Sequence, residues 1–247
     1  MIDRRRFVRR VAIGSLSLGP GSCFVESRAG SLVDEWSLEV VGDIHYDQLE
    51  HHDMSWVKRE KPNSVSQIEN YSRITRENYP VFLQALKREV EKDPSCRGVI
   101  QVGDLVQGLC GGEALARIHC KAAVGSLFDL NLGVPVWVTK GNHDITGPAA
   151  LQAYEEIVLP FSGEVGDESN SSRYALEEEG WLIVSYDGYS QGSLDWLETI
   201  LAGRKPGRLL VIVHQPVVSY NARSSWGVHG HESQRVRRQR LVNLLGK

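Results

Sequence analysis

Cysteine is scarce in this chain, methionine scarcer, and long apolar runs are missing. The 247 residues hold 4 Cys and 2 Met. Cys23, Cys96, Cys110 and Cys120 form no Cys-x-x-Cys pair and no dense framework, which excludes a disulfide-built scaffold. The last three read as small buried apolar residues. The most apolar early stretch, Val11 to Leu18, is well short of the roughly 20 residues a membrane span needs. No internal repeat or low-complexity block is present. A strong charge of one sign is also missing. The net charge is −3, so nothing in the total suggests a nucleic-acid partner. What remains is an ordinary globular composition, 41% hydrophobic and 24% charged, long enough for one large domain with a sizeable core.

The first 30 residues differ from the rest. Asp3-Arg4-Arg5-Arg6-Phe7-Val8-Arg9 precedes the short apolar run, and Pro20-Gly21-Ser22-Cys23 follows it. A basic head, an apolar stretch and small residues make an export leader. The paired arginines ahead of Phe7 resemble a twin-arginine signal, which exports proteins already folded. Periplasmic or extracellular localisation is therefore expected, with a lipid anchor at Cys23 as a further possibility and a disordered basic tail as the plain alternative. Residues 1–30 carry a net +4, so the expected mature domain, residues 36–247, is acidic.

Beyond residue 35 the pattern alternates between strand and helix. Leu38–Val41, Gly98–Val102, Val134–Val138 and Leu209–Val213 read as apolar strands. Asn78–Lys92, Glu113–Leu130, Ala149–Val158, Ser193–Leu201 and Arg235–Leu245 read as helices. Tyr174–Leu176 and Trp181–Val184 read as a hairpin across an acidic turn. Residues 46–77, polar and rich in His, Asn and Ser, read as a long loop, with His51 and His52 solvated in it. His119, on a helix, reads as structural. Each of the four strands stops at a residue type that ligates metals: Asp43-Ile44-His45, Asp104, Asn142-His143-Asp144 and His214. Carboxyl ends of strands are where α/β sheets build sites.

The residue types fit one chemistry. Mixed oxygen and nitrogen donors suit Mn, Fe or Zn rather than Ca or Mg. A carboxylate can bridge two cations, and two cations about 3.5–4 Å apart can grip a phosphoryl oxygen and acidify water. Asn142 is a neutral oxygen donor and adds no charge. A histidine beside the metals but free of them can protonate a leaving oxygen.

These blocks resemble the calcineurin-like metallophosphoesterase family, which carries Asp-x-His, Gly-Asp, Gly-Asn-His-Asp/Glu, a lone His and Gly-His-x-His in this order. Four of the five blocks match, between about residue 38 and residue 216. The resemblance implies an α/β fold of two packed mixed β-sheets flanked by helices, an αββα sandwich. It implies two divalent transition-metal ions. Asp43 and His45 would bind the first, Asp104 would bridge, and Asn142 and His214 would bind the second. His143 would be the catalytic acid, oriented by Asp144. The substrate would be a small-molecule phosphomonoester or phosphodiester.

Two departures qualify the match. The family often has Asp where Gln107 stands. The Gly-His-x-His block, due after the helix Arg235–Leu245, is not found before Lys247, and the expectation is a domain lacking its last strands. The competing reading is a scaffold of the same fold, or an incomplete fragment, with weak metal binding and no turnover. His229 and His231, in Val228-His229-Gly230-His231, are candidate replacements in a different register. Trp56, Arg73, Arg76 and Trp226 are candidate substrate contacts.

Overall fold

The computed structural model describes residues 8–12, 36–162, 171–204, 207–218 and 227–246. Cys23, most of the basic head and Trp226 lie outside the described residues. Among the described residues, seven strands form two mixed sheets. The first runs β1 (Val8–Ala12), β2 (Ser37–Val41), β3 (Cys96–Gln101), β4 (Val136–Val138) in spatial order. Strands β2, β3 and β4 are parallel, and β1 pairs antiparallel with β2. The second holds β5 (Tyr174–Glu178), β6 (Trp181–Ser185) and β7 (Arg208–Ile212), with β5–β6 antiparallel and β6–β7 parallel. Strand β1 thus falls inside the segment read as an export leader.

Period-two alternation divides the apolar side chains between layers. Leu38, Ile100 and Trp137 of the first sheet meet Tyr174, Ile183 and Ile212 of the second. Their neighbours Val41, Val99 and Val138 face the other way, into helices α2 (Val65–Lys92) and α3 (Glu113–Phe128). Leu182 and Val184 turn to the outer face of the second sheet, under α6 (Ser193–Arg204) and α7 (Arg235–Leu245). The order helix, sheet, sheet, helix is the expected sandwich. Trp137 packs directly on Gly98 of β3, where a Cβ would strike the indole.

The polar stretch 46–77 is not a loop. It contains α1 (Met54–Glu60) and the first half of α2, a 28-residue helix that starts 13 residues before the expected boundary. Asp53 caps α1 by accepting the amides of Ser55 and Trp56 at 3.0 Å. The buried face of α2 reads Ile68, Ser72, Thr75, Tyr79. Three of these four carry hydroxyls, so over its first half the buried stripe is short of purely apolar residues. Thr75 Oγ1 accepts the Asp47 amide at 3.0 Å. His51 and His52 are buried, at 7% exposure each, which corrects their reading as solvated residues.

Helix α4 (Ala150–Ala153) runs through a π turn (Tyr154–Val158) into α5 (Leu159–Phe161), within one turn of the expected helix. Cys96, Cys110 and Cys120 are free and buried, as expected. No described helix is long and apolar enough to cross a membrane.

Candidate metal centre

The backbone brings the four motifs to one edge. Past the end of β2, the chain stays paired with the segment after β3. The Asp43 amide donates to Gly103 O at 3.2 Å, the His45 amide to Asp104 O and the Tyr46 amide to Leu105 O, both at 2.9 Å. Asp43, His45 and Asp104 all take positive φ, at 48°, 46° and 53°. For side chains with a Cβ that conformation is costly, on the order of 1 kcal/mol or more each. Three such residues in one cluster indicate that side-chain placement outweighs backbone comfort. Gly141 is needed for a different reason. A Cβ there would occupy the space of the Asp104 amide and carboxylate.

Asp104 is the centre, at 1% exposure. Its Oδ1 accepts the His143 amide at 2.8 Å. Its Oδ2 lies 3.5 Å from His45 Nε2 and 3.3 Å from His214 Nε2. Ligand atoms of Asp104 converge with those of His45 and His143 in one group, and with those of Asp43 and His214 in a second. Asn142 Oδ1 stands 3.2 Å from His214 Nε2, beside the second group. The seven residues singled out from sequence therefore meet at one place. Their partition differs from the expectation: Asp43 falls with His214, and His45 with His143.

The donor set fits cations. His214 Nδ1 lies 2.9 Å from Val102 O, which can only accept, so Nδ1 carries the hydrogen. Nε2 then faces Asp104 Oδ2 and Asn142 Oδ1, two more acceptors. That convergence needs a positive centre. Without metal a proton supplies it: burial alone would lower the His214 pKa, but the Asp104 carboxylate overrides it and raises the value from 6.5 to about 9. Burial likewise pushes the Asp104 carboxyl up, yet the His214 bond and charge bring it below its ordinary value. His45 moves the other way, lowered chiefly by burial, and remains a neutral donor. Its Nδ1 is held by Gln107 Oε1 at 2.9 Å, the outer contact that orients a ligating imidazole.

Asp144 stands apart from the role expected of it. Its carboxylate accepts the amides of Asp104 at 3.0 Å, Gly141 at 2.8 Å and Val106 at 3.1 Å. It ties the second and third motifs together through backbone. The His143 ring is oriented instead by Gln107 O, 3.0 Å from Nδ1. Complete burial, with Asp104 nearby, pushes the Asp144 carboxyl up to about 6.

Three contributors were missed. Gln107, visible in the sequence only as a departure, holds His45 by its side chain and His143 by its carbonyl. Tyr71 stacks on His45 at 4.7 Å and 5°, from a helix read as loop. Lys140, just before Gly141, is 4% exposed and pairs with Asp187 at 2.7 Å. His229 and His231 take no part in the metal-ligating groups among the described residues. His229 Nε2 bonds Tyr186 OH at 2.7 Å, and His231 Nδ1 bonds Ser233 Oγ at 2.7 Å.

The family model of the calcineurin-like phosphoesterases matches residues 39–241. The chain belongs to the calcineurin-like phosphoesterase family. No curated protein matches it. Among solved structures, a dimetal phosphatase from Danio rerio is similar, with a TM-score of 0.54 and 14% identity over 84% of this chain and 77% of that one. At that identity the likeness concerns the fold: this phosphoesterase chain shares the sandwich, and its own residues must carry the argument about chemistry.

Proposed function

We propose that the chain hydrolyses a small-molecule phosphomonoester or phosphodiester at a binuclear centre of Mn, Fe or Zn. One observation carries the reading: the buried Asp104 carboxylate is shared by two groups of ligand atoms, one with His45 and one with Asp43 and His214. Asn142 adds a neutral oxygen beside His214. Bound there, the two cations would withdraw charge from a phosphoryl oxygen and lower the pKa of water. The chain itself supplies position and a proton. Asp104 holds the centre together, with its second oxygen fixed by the His143 amide. Gln107 aims both His45 and His143. Protonated on both ring nitrogens, with Nδ1–H donated to Gln107 O, His143 would give its Nε2 proton to the leaving oxygen and remain as the neutral ring. The Asp144 carboxylate keeps the two motif backbones in register.

If the basic, apolar N-terminal segment acts as the export leader read from the sequence, the substrate lies outside the cytoplasm. The second reading is a scaffold of the same fold that binds metal weakly and turns nothing over. Metal counting at the strand-end ligands separates the two, since a scaffold holds less than one tight equivalent there. The chemical test is His143→Ala assayed on a bis-aryl phosphate with Mn. Metal content should persist while turnover falls by about 10²-fold or more, the usual worth of a positioned acid. Turnover at the parent rate would remove His143 from the mechanism.

A further inference from the structure

A second cluster of metal-ligating side chains lies beneath the same loop and shares no residue with the first. Asp47, two residues after His45, His52, just past the turn Leu49–His51, and His119 on α3 have ligand atoms within 4.8 Å of one another. All three are buried, at 0%, 7% and 1% exposure. Buried carboxylate and imidazole groups carry a desolvation cost that must be met by partners.

For Asp47 and His52 the partners largely meet it, through Ser72, the Gln48 backbone and Leu109 O; for His119 they do not. His52 Nδ1 lies 3.1 Å from Leu109 O, a carbonyl that can only accept, so Nδ1 carries the hydrogen. Its Nε2 then points at Asp47 Oδ1, 2.5 Å away. Two lone pairs facing each other need a positive centre; at 2.5 Å a shared proton fills it, and a metal between them requires the pair to part to about 3 Å. A proton answers for His52 and Asp47 alone. Neither ring nitrogen of His119 makes a hydrogen bond of good geometry, although the Tyr46 backbone lies close by. As core filler, Phe or Leu would serve there at no polar cost. Burial holds the His119 ring neutral, pushed down to about 3, so its lone pair is available.

We propose that Asp47, His52 and His119 bind a further divalent transition metal, a structural zinc, distinct from the strand-end pair. Two imidazoles and one carboxylate are three of the four donors zinc takes, and the fourth place would fall to water. The Leu109 carbonyl supplies the outer contact that fixes the tautomer of a ligating histidine. A cation at this point satisfies Asp47, His52 and His119 together. It also ties Asp43–Asp47, the segment that carries two strand-end ligands, to α3, so it would set the rigidity of the catalytic loop. This inference does not depend on the hydrolytic reading.

The test uses the full chain carrying Asp104→Asn and His214→Ala, which removes the centre of the strand-end site. After zinc loading and gel filtration, elemental analysis should find one equivalent retained, and chelation should lower the melting temperature. Adding His119→Phe, which keeps the volume, should take zinc to zero and abolish the chelator response. Zinc-free double variant, or zinc unchanged by His119→Phe, would overturn the proposal. If His119→Phe fails to fold, the double variant loaded with cobalt decides. Visible d–d bands of a nitrogen-ligated ion support the site, and a colourless protein refutes it.

Discussion

At the scale of single residues, Gln107 and His214 show what a side chain gains from its neighbours. Gln107 stands where the family often has Asp. An amide oxygen still accepts from His45 Nδ1, without bringing a further negative charge against Asp104. His214 is the residue whose proton competes with metal. Its pKa is raised to about 9 by Asp104, so in the metal-free protein the imidazolium contributes stability that is full below pH 6.5 and is lost as pH rises through about 9. Metal needs the neutral ring, so binding must expel that proton. Between pH 6.5 and 8.5, metal affinity of the stripped protein should rise by about tenfold per pH unit. Calorimetry in buffers of different ionisation enthalpy would count the released proton. His214→Ala should flatten the slope, and an equal slope in that variant would assign the proton elsewhere.

At the scale of elements, α2 matters most. Its C-terminal half packs as an ordinary apolar helix, through Leu86 and Val90. Its N-terminal half serves the site: Tyr71 covers His45, and Thr75 holds the Asp47 amide. Thr75→Val keeps the shape and removes the acceptor from a buried amide. A loss of about 1–3 kcal/mol is expected, read by denaturant unfolding. Metal affinity should fall with it, because the same loop carries Asp43 and His45. A neutral Thr75→Val would mean that the loop is held by the other contacts alone. Helix α7 behaves as its composition suggests. Leu241 is buried while Arg240 pairs with exposed Asp195 and Glu198 of α6. Such exposed pairs contribute little.

At the scale of the whole molecule, the inter-sheet layer keeps the strand-end site on a rigid frame. Trp137 sits in it on β4, three residues upstream of Lys140 and just ahead of Gly141, with Ile183 and Ile212 in the same cluster. Trp137→Ala should cost about 3–5 kcal/mol, and the melting temperature should drop accordingly. Because β4 leads directly into Asn142, part of the metal affinity should be lost as well.

The sequence by itself determined six of the seven described strands and named the strand-end residues that the fold brings together, while the sandwich came with the family resemblance. Apolar runs of strand length, each ending at a ligand type, are local patterns, and local patterns survive without knowledge of contacts. The tertiary structure alone decided three things. It turned residues 65–77 from loop into helix, because Ser72 and Thr75 bury hydroxyls against a polar loop, and a periodicity of apolar residues cannot register that. It took His143 from Asp144 and gave it to the Gln107 carbonyl, since backbone acceptors leave no mark on sequence. It brought His119 to Asp47 and His52, residues whose separation along the chain exceeds any motif and whose shared burial exists only once α3 packs on the loop.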